Sequence, residues 1–114
     1  MRRFKYAIEG CYTILRKDRH FLYHIVVTCF VIILGWWLSL SMTEWLFIVL
    51  SIFLVLISEA LNTAIEYVVD MTTEEFHLYA KYAKDIAAFS VLLAALFALI
   101  TGSTILIPKL ISML

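Results

Sequence analysis

The sequence has little of what builds phosphate-binding loops, disulfide frameworks or charged surfaces. Its 114 residues include 3 glycines, 1 proline and 2 cysteines, and only 16% of them are charged. Gly10, Gly35 and Gly102 are isolated from one another, which excludes a Walker A loop and a kinase-type glycine-rich loop. Cys11 and Cys29 form no CxxC motif, so neither a zinc site nor a disulfide framework is expected. Length and composition together exclude a soluble nucleotide-binding fold.

Apolar residues dominate instead, at 64% of the chain, far above the share in an average soluble domain. Two uncharged stretches, 25–43 and 86–107, are each long enough to cross the hydrocarbon as a helix, and Pro108 is expected to end the second. A third segment, 45–70, has an uncharged first part that is too short to cross the membrane. It can cross only if the helix continues through the polar residues that follow. The sequence therefore predicts an all-α membrane protein with a single domain, 1–114.

The amino-terminal segment, 1–24, has apolar residues at helical spacing and a basic face, which predicts an amphipathic helix on the membrane surface. Its basic residues are Arg2, Arg3, Lys5, Arg16, Lys17 and Arg19. The polar loop predicted over 71–85 contains two further lysines. Because basic residues concentrate on the cytoplasmic side of membrane proteins, we expect the amino terminus and this loop to face the cytoplasm.

Four polar residues interrupt the second predicted span on one helical face. Glu59, Asn62, Glu66 and Asp70 recur at spacings of three and four, so their side chains point the same way. Ionisable groups near bilayer depth cost at least a few kcal/mol each, so such a face predicts a functional site. Three short helices cannot enclose these groups unaided, and we therefore expect a homo-oligomer that shields them.

This polar face has the groups that phosphoryl transfer to a lipid hydroxyl requires. Glu59 is the candidate general base, because its depth lets it meet a hydroxyl still embedded in lipid. Glu66 lies about 10 Å nearer the cytoplasm along the helix. It is better placed as a ligand of Mg²⁺, which needs only one or two protein carboxylates. The spacing alone leaves a cation-coupled transporter equally open, although neither of the other two spans has a charged residue to continue an ion path.

A longer pattern decides between these classes. The segment EALNTAIEYVVD, 59–70, followed by the KD pair Lys84 and Asp85, resembles the signature of the small prokaryotic diacylglycerol kinase and undecaprenol kinase family. The resemblance extends through the whole chain. It implies a homotrimer of the bacterial cytoplasmic (inner) membrane, with composite active sites between subunits that use Mg²⁺ and ATP to phosphorylate a membrane lipid alcohol. We expect no nucleic acid partner.

The resemblance also implies roles for individual residues. Glu59 would be the catalytic base and contact the lipid with Asn62, whose amide helps to position the reacting groups. Glu66 and Asp18 would bind the metal, although the family usually has glutamate where this chain has Asp18. Asp70 either ends its helix or contacts the ligand. The residues implied to bind the nucleotide are Tyr6, Asp18, Glu66, Glu75, His77, Lys84 and Asp85.

Two substrate branches exist within the family. His24, three positions after Phe21 in RHFLYH, resembles the branch that phosphorylates undecaprenol, because the diacylglycerol branch tends to carry an acidic residue there. Ala88 in KDIAAFS favours the same branch, since the other often has serine. We expect undecaprenol as the substrate, with diacylglycerol as the alternative.

Overall fold

The computed structural model describes residues 2–72 and 74–114, which form four helices and no strand. These helices are α1 (Arg2–Lys17), α2 (Arg19–Trp37), α3 (Met42–Thr72) and α4 (Leu78–Ser112). Helices α2, α3 and α4 are each long and apolar enough to cross a membrane. The prediction of an all-α membrane protein with an amino-terminal helix and three spans is confirmed. Met1 of the predicted surface helix and Thr73 of the predicted loop lie outside the described residues.

The predicted surface helix over 1–24 is wrong at its carboxyl end, because the chain breaks at Asp18. Asp18 has an extended backbone, and its Oδ1 accepts a hydrogen bond of 3.2 Å from the Phe21 N–H. This N-cap satisfies a donor that has no partner inside the new helix, and its negative charge suits the positive end of the helix. Apolar spacing continues through the break, so periodicity alone does not reveal it. Residues 19–24 belong to α2.

The predicted first span over 25–43 ends too late, because α2 stops at Trp37 and a tight turn follows. Ser39 in this turn has φ of 56°, in the left-handed region. Ser41 and Glu44 then form a capping box, in which the Ser41 N–H donates to Glu44 Oε1 at 2.9 Å and the Glu44 N–H donates to Ser41 Oγ at 3.2 Å. Helix α3 therefore begins directly after Ser41, three residues before the predicted start.

The polar loop predicted over 71–85 is shorter in the structure. Helix α4 begins directly after His77, whose Nδ1 accepts a hydrogen bond of 3.1 Å from the Tyr79 N–H as the N-cap. The first two turns of α4, residues 78–85, are thus the second half of the predicted loop. Lys84 and Asp85 consequently stand on a helix, at fixed positions relative to α3.

The last span is also longer than predicted, because Pro108 lies inside α4 and the helix ends only at Ser112. Proline lacks an N–H and removes one hydrogen bond to the preceding turn. Membrane-spanning helices tolerate this loss because local adjustments and neighbouring polar side chains satisfy the freed groups. The prediction that Pro108 terminates the helix is wrong for this reason.

The tightest packing lies at the end of the bundle where α2 turns into α3. Leu38, Leu40 and Ile48 are buried together there. Gly35 sits directly beneath this turn, where an added Cβ would lie 2.9 Å from side-chain atoms of Leu40 and Trp45. Helix α3 packs along α4, and α2 packs against α3. Because this end of the bundle is closed by apolar contacts, the polar face of α3 lies toward the opposite end.

Candidate active site

The polar residues of α3 line a cavity of about 630 Å³ together with residues at the corner between α1 and α2. We call it the polar cavity. Glu59, Asn62, Glu66 and Asp70 all line it. Glu59 and Asn62 are 5% and 8% exposed, whereas Glu66 and Asp70 are exposed. The cavity therefore has a buried inner end and an open outer end, along a single helical face.

Asn62 has an unusual hydrogen-bonding position in this cavity. Its Nδ2 donates to Glu66 Oε1 at 3.1 Å, one helical turn further along α3. Its Oδ1 is buried and has no hydrogen-bond partner within the described chain. Leaving a buried acceptor unpaired costs about 1–3 kcal/mol, and such groups are rare in native structures. The amide oxygen is therefore available to a hydrogen-bond donor or a cation that enters the cavity.

The Asp18 carboxylate reaches the same cavity from the corner between α1 and α2. Its Oδ2 accepts a hydrogen bond of 2.5 Å from Thr63 Oγ1 on α3. Burial acts to raise the pKa of Asp18, but the hydrogen bonds from Thr63 and the Phe21 N–H outweigh it, so this pKa lies below its ordinary value. These hydrogen bonds therefore favour the charged form of the Asp18 carboxylate.

A second cavity, of about 440 Å³, lies between the end of α3 and the start of α4. Its walls include four of the residues expected to bind the nucleotide, namely Glu75, His77, Lys84 and Asp85. Asp70 lines both cavities, and its Oδ1 lies 2.6 Å from Lys84 Nζ. The two groups of predicted site residues therefore meet at this ion pair.

Not every expected residue joins these cavities. Tyr6 stands on α1, is 62% exposed and lines neither of the two. Conversely, the polar cavity includes Thr63, which was not among the predicted site residues. Its position four residues after Glu59 is the helical spacing of a shared face, and this signal could have identified it.

The donor set fits Mg²⁺ held by few protein ligands. Within residues 2–72 and 74–114, no three His, Cys, Asp or Glu side chains converge as a metal site. Mg²⁺ does not need three, because it is usually held by one or two carboxylates together with substrate phosphates and water. The Glu66 carboxylate and the unpartnered Asn62 Oδ1 are neighbouring oxygen donors of the kind that this ion prefers.

Comparison with known proteins supports the same class. The family model of prokaryotic diacylglycerol kinase matches residues 5–106. An undecaprenol kinase of Bacillus subtilis (strain 168) is 41% identical over 107 residues, which cover 94% of this chain and 87% of that protein. A diacylglycerol kinase of Synechocystis sp. is 40% identical over 112 residues, covering 97% of this chain and 64% of that longer protein. A diacylglycerol kinase of Escherichia coli (strain K12) is 35% identical over 81 residues, covering 71% of this chain and 66% of that protein.

These relatives confirm the predicted resemblance and decide between the two classes that residue spacing left open. They are kinases, so they favour the enzyme over the cation-coupled transporter. The match covers α2 and α3 completely and most of α1 and α4. The chain belongs to the prokaryotic diacylglycerol kinase family of membrane lipid kinases.

Proposed function

We propose that this protein transfers the γ-phosphoryl group of ATP to the hydroxyl of a membrane lipid alcohol, with undecaprenol as the substrate and undecaprenyl phosphate as the product. The observation that carries the proposal is the buried inner end of the polar cavity. Glu59 and Asn62 lie there on a helix apolar enough to span a membrane. A lipid hydroxyl can therefore reach a carboxylate without leaving the depth of the bilayer.

In this reaction Glu59 is the general base. The hydroxyl oxygen of the lipid forms a bond to the γ-phosphorus, the bond from that phosphorus to the oxygen bridging to the β-phosphate breaks, and ADP leaves. Glu59 takes the hydroxyl proton as the new bond forms. Asn62 lies one turn away, and the N–H of its amide that does not donate to Glu66 could donate to the hydroxyl oxygen, which would hold the nucleophile in place.

The carboxylates toward the outer end suit the metal. Glu66 and Asp18 would hold Mg²⁺, which when bound offsets the charge of the transferring phosphates. Glu66 is exposed and oriented by the hydrogen bond from Asn62, while Asp18 is fixed by Thr63. Both side chains line the cavity that holds Glu59, so the proposed metal ligands and the proposed base face a common space.

The nucleotide would occupy the second cavity and reach the first across Asp70. Lys84 is the cation nearest to this junction, and its ammonium group can offset phosphate charge. Asp85, Glu75 and His77 form other walls of the same cavity. We also assign Tyr6 to the nucleotide, although its position on α1 gives no geometric support to that assignment.

The choice of undecaprenol is supported by the Bacillus subtilis relative, which matches most of its own length. His24 adds a positional argument, because it borders both the polar cavity and an apolar cavity of about 300 Å³ between α2, α3 and α4. The alternative substrate is diacylglycerol, which the Synechocystis and Escherichia coli relatives favour by their names. Both substrates present a hydroxyl at the end of long apolar chains, so the same buried base would serve either.

The proposal includes an assembly and an orientation. Glu66 and Asp70 are exposed in a single copy of the chain, and burying them between subunits would remove charges from lipid. This supports a homotrimer with sites between subunits, in which the single domain of each chain contributes to a neighbouring site. The basic residues of α1 favour the bacterial inner membrane with the amino terminus and both cavities toward the cytoplasm.

The decisive experiment is transfer of labelled γ-phosphate from ATP to undecaprenol and to diacylglycerol, side by side in the same mixed micelles with Mg²⁺. Glu59→Gln serves as the blank. Preferential labelling of undecaprenol supports the proposed substrate, and preferential labelling of diacylglycerol supports the alternative. Labelling of neither lipid above the blank would refute lipid phosphorylation by this protein.

A further inference from the structure

We propose that Thr63 is a positioning residue. Its hydroxyl docks the corner between α1 and α2 onto α3 and holds the Asp18 carboxylate in the polar cavity. This inference rests on the proposed kinase function for its catalytic consequence. Its structural part, the docking of the corner, stands on the geometry alone. The resemblance to the kinase family assigned no role to Thr63, and its hydrogen bond to Asp18 is known only from the structure.

Each oxygen of the Asp18 carboxylate accepts a hydrogen bond from a different helix. Asp18 Oδ2 accepts the 2.5 Å hydrogen bond from Thr63 Oγ1, and Asp18 Oδ1 accepts the 3.2 Å hydrogen bond from the Phe21 N–H. The first bond crosses between elements 45 residues apart, and the second caps α2. With one oxygen held by each partner, the plane and direction of the carboxylate are fixed.

Little else in the packing of α1 holds this corner in place. Helix α1 buries none of its residues, and an apolar groove of about 500 Å³ separates part of it from α3. Thr63 lines this groove as well as the polar cavity, so it stands in the wall between them. Elements with few buried contacts separate from the rest of the fold at a low cost in free energy. A charge-assisted hydrogen bond at such a place therefore supplies a large part of the free energy that holds the corner against α3.

The bond also gives the short Asp18 side chain a defined place. Asp18 has a single methylene between its Cα and its carboxylate, so the carboxylate does not reach far from the backbone. Thr63 lies one turn after Glu59 and donates to Asp18 from α3, which holds Asp18 at the cavity that Glu59 also lines. Loss of the hydroxyl would free the carboxylate to turn away from the cavity.

The test compares Thr63→Val, which keeps the shape and removes the hydroxyl, with Thr63→Ser, which keeps the hydroxyl. Thr104→Val is the matched control, because the Thr104 hydroxyl donates only to Ile100 O within its own helix. Two readouts are measured on the full-length protein in mixed micelles. One is kcat and KM for ATP with the better lipid substrate, and the other is amide hydrogen exchange over residues 17–21.

We expect Thr63→Val to lower kcat by about 10- to 100-fold, as small misplacements of catalytic groups do, and to raise KM for ATP as well, because the freed carboxylate is one of the two proposed ligands of Mg²⁺. Exchange over the corner should become faster in the same variant. Thr63→Ser and Thr104→Val should keep the wild-type values in both readouts. Adding Asp18→Asn to Thr63→Val should lower kcat no further than the more damaging single change, because both act through one bond.

Three results would overturn the inference. Wild-type turnover in Thr63→Val would show that the hydroxyl is dispensable, and an equal loss in Thr63→Ser would show that the hydroxyl is not what matters. A loss of turnover with unchanged exchange would mean that Thr63 acts directly on substrate and not through Asp18. Should the wild-type protein phosphorylate neither lipid, the proposed function fails, and the exchange comparison still decides whether Thr63 docks the corner.

Discussion

Lys84 on α4 and Asp70 on α3 form an ion pair of 2.6 Å at the boundary between the two cavities. Lys81 and Asp85 form a pair of the same length, but both lie on α4, one turn apart. Both pairs are exposed to solvent, and exposed pairs contribute little to stability. Both lysines line the second cavity, but the partner of Lys84, Asp70, also lines the polar cavity, so the Lys84 ammonium group lies where the two cavities meet.

This contrast gives a prediction about nucleotide binding. Lys84→Met should raise KM for ATP by about tenfold or more, because losing one phosphate contact worth about 1.4 kcal/mol changes affinity tenfold. Lys109→Met is the control, because Lys109 is also ion-paired, with Glu44 at 3.3 Å, but lines neither of the two cavities; it should change KM by less than about twofold. ATP titration of the lipid phosphorylation rate measures both. Equal effects of the two variants would contradict a specific phosphate contact by Lys84.

A second prediction concerns the base. Glu59→Gln should abolish phosphoryl transfer, because the amide cannot accept the hydroxyl proton, while leaving nucleotide binding nearly intact. Glu9→Gln on the exposed face of α1 is the control and should retain activity. The measurement is single-turnover transfer of labelled phosphate, with nucleotide binding followed by isothermal titration. A Glu59→Gln protein that turns over at the wild-type rate would remove Glu59 from the role of base.

A third prediction separates function from stability at Asn62. Asn62→Ala removes a buried acceptor that has no partner in the described chain, so the stability of the fold should change by less than about 1 kcal/mol. Turnover should nevertheless fall by about 10- to 100-fold, since the hydroxyl and Glu66 both lose their positioning partner. Thermal unfolding in detergent and kcat are measured together.

Ser51→Ala is the matched control for this substitution. Ser51 is also buried on α3, but its hydroxyl donates to Phe47 O in its own helix and it does not line the polar cavity. It should keep its turnover. A large loss of stability with an unchanged kcat in Asn62→Ala would identify Asn62 as a structural residue.

The sequence predicted the helical class, the three apolar spans and the common face of α3, because these depend on apolar run length and on the helical period. The break at Asp18 and the early start of α4 after His77 were missed, since each depends on one capping side chain within a region where charged and apolar residues are mixed on both sides. Asp and Asn are favoured N-caps, so Asp18 carried a local signal. His77 carried a much weaker one.

Contacts between segments that are distant along the chain could not be predicted from the sequence. The hydrogen bond from Thr63 to Asp18 joins residues whose separation along the chain carries no period. The resemblance to the kinase family identified residues by type and position. It could not show that Asn62 Nδ2 donates to Glu66 while Asn62 Oδ1 has no partner in the described chain. The ends of elements and the pairing of side chains across them depend on tertiary packing, which local patterns do not encode.

A last prediction tests the packing that closes the opposite end of the bundle. In Gly35→Ala the new Cβ would lie 2.9 Å from Leu40 Cδ1 and 2.9 Å from Trp45 Cη2, closer than side chains tolerate. Leu40 is buried and the indole of Trp45 is rigid, so the turn after α2 must shift. Overpacking of this kind costs about 1–3 kcal/mol, and the midpoint of thermal unfolding in detergent should fall.

Gly102→Ala is the control, because nothing lies within 4 Å of its added Cβ and alanine favours a helix interior by about 0.5–1 kcal/mol. Its midpoint should stay the same or rise, and a fall equal to that of Gly35→Ala would contradict the packing described for the turn.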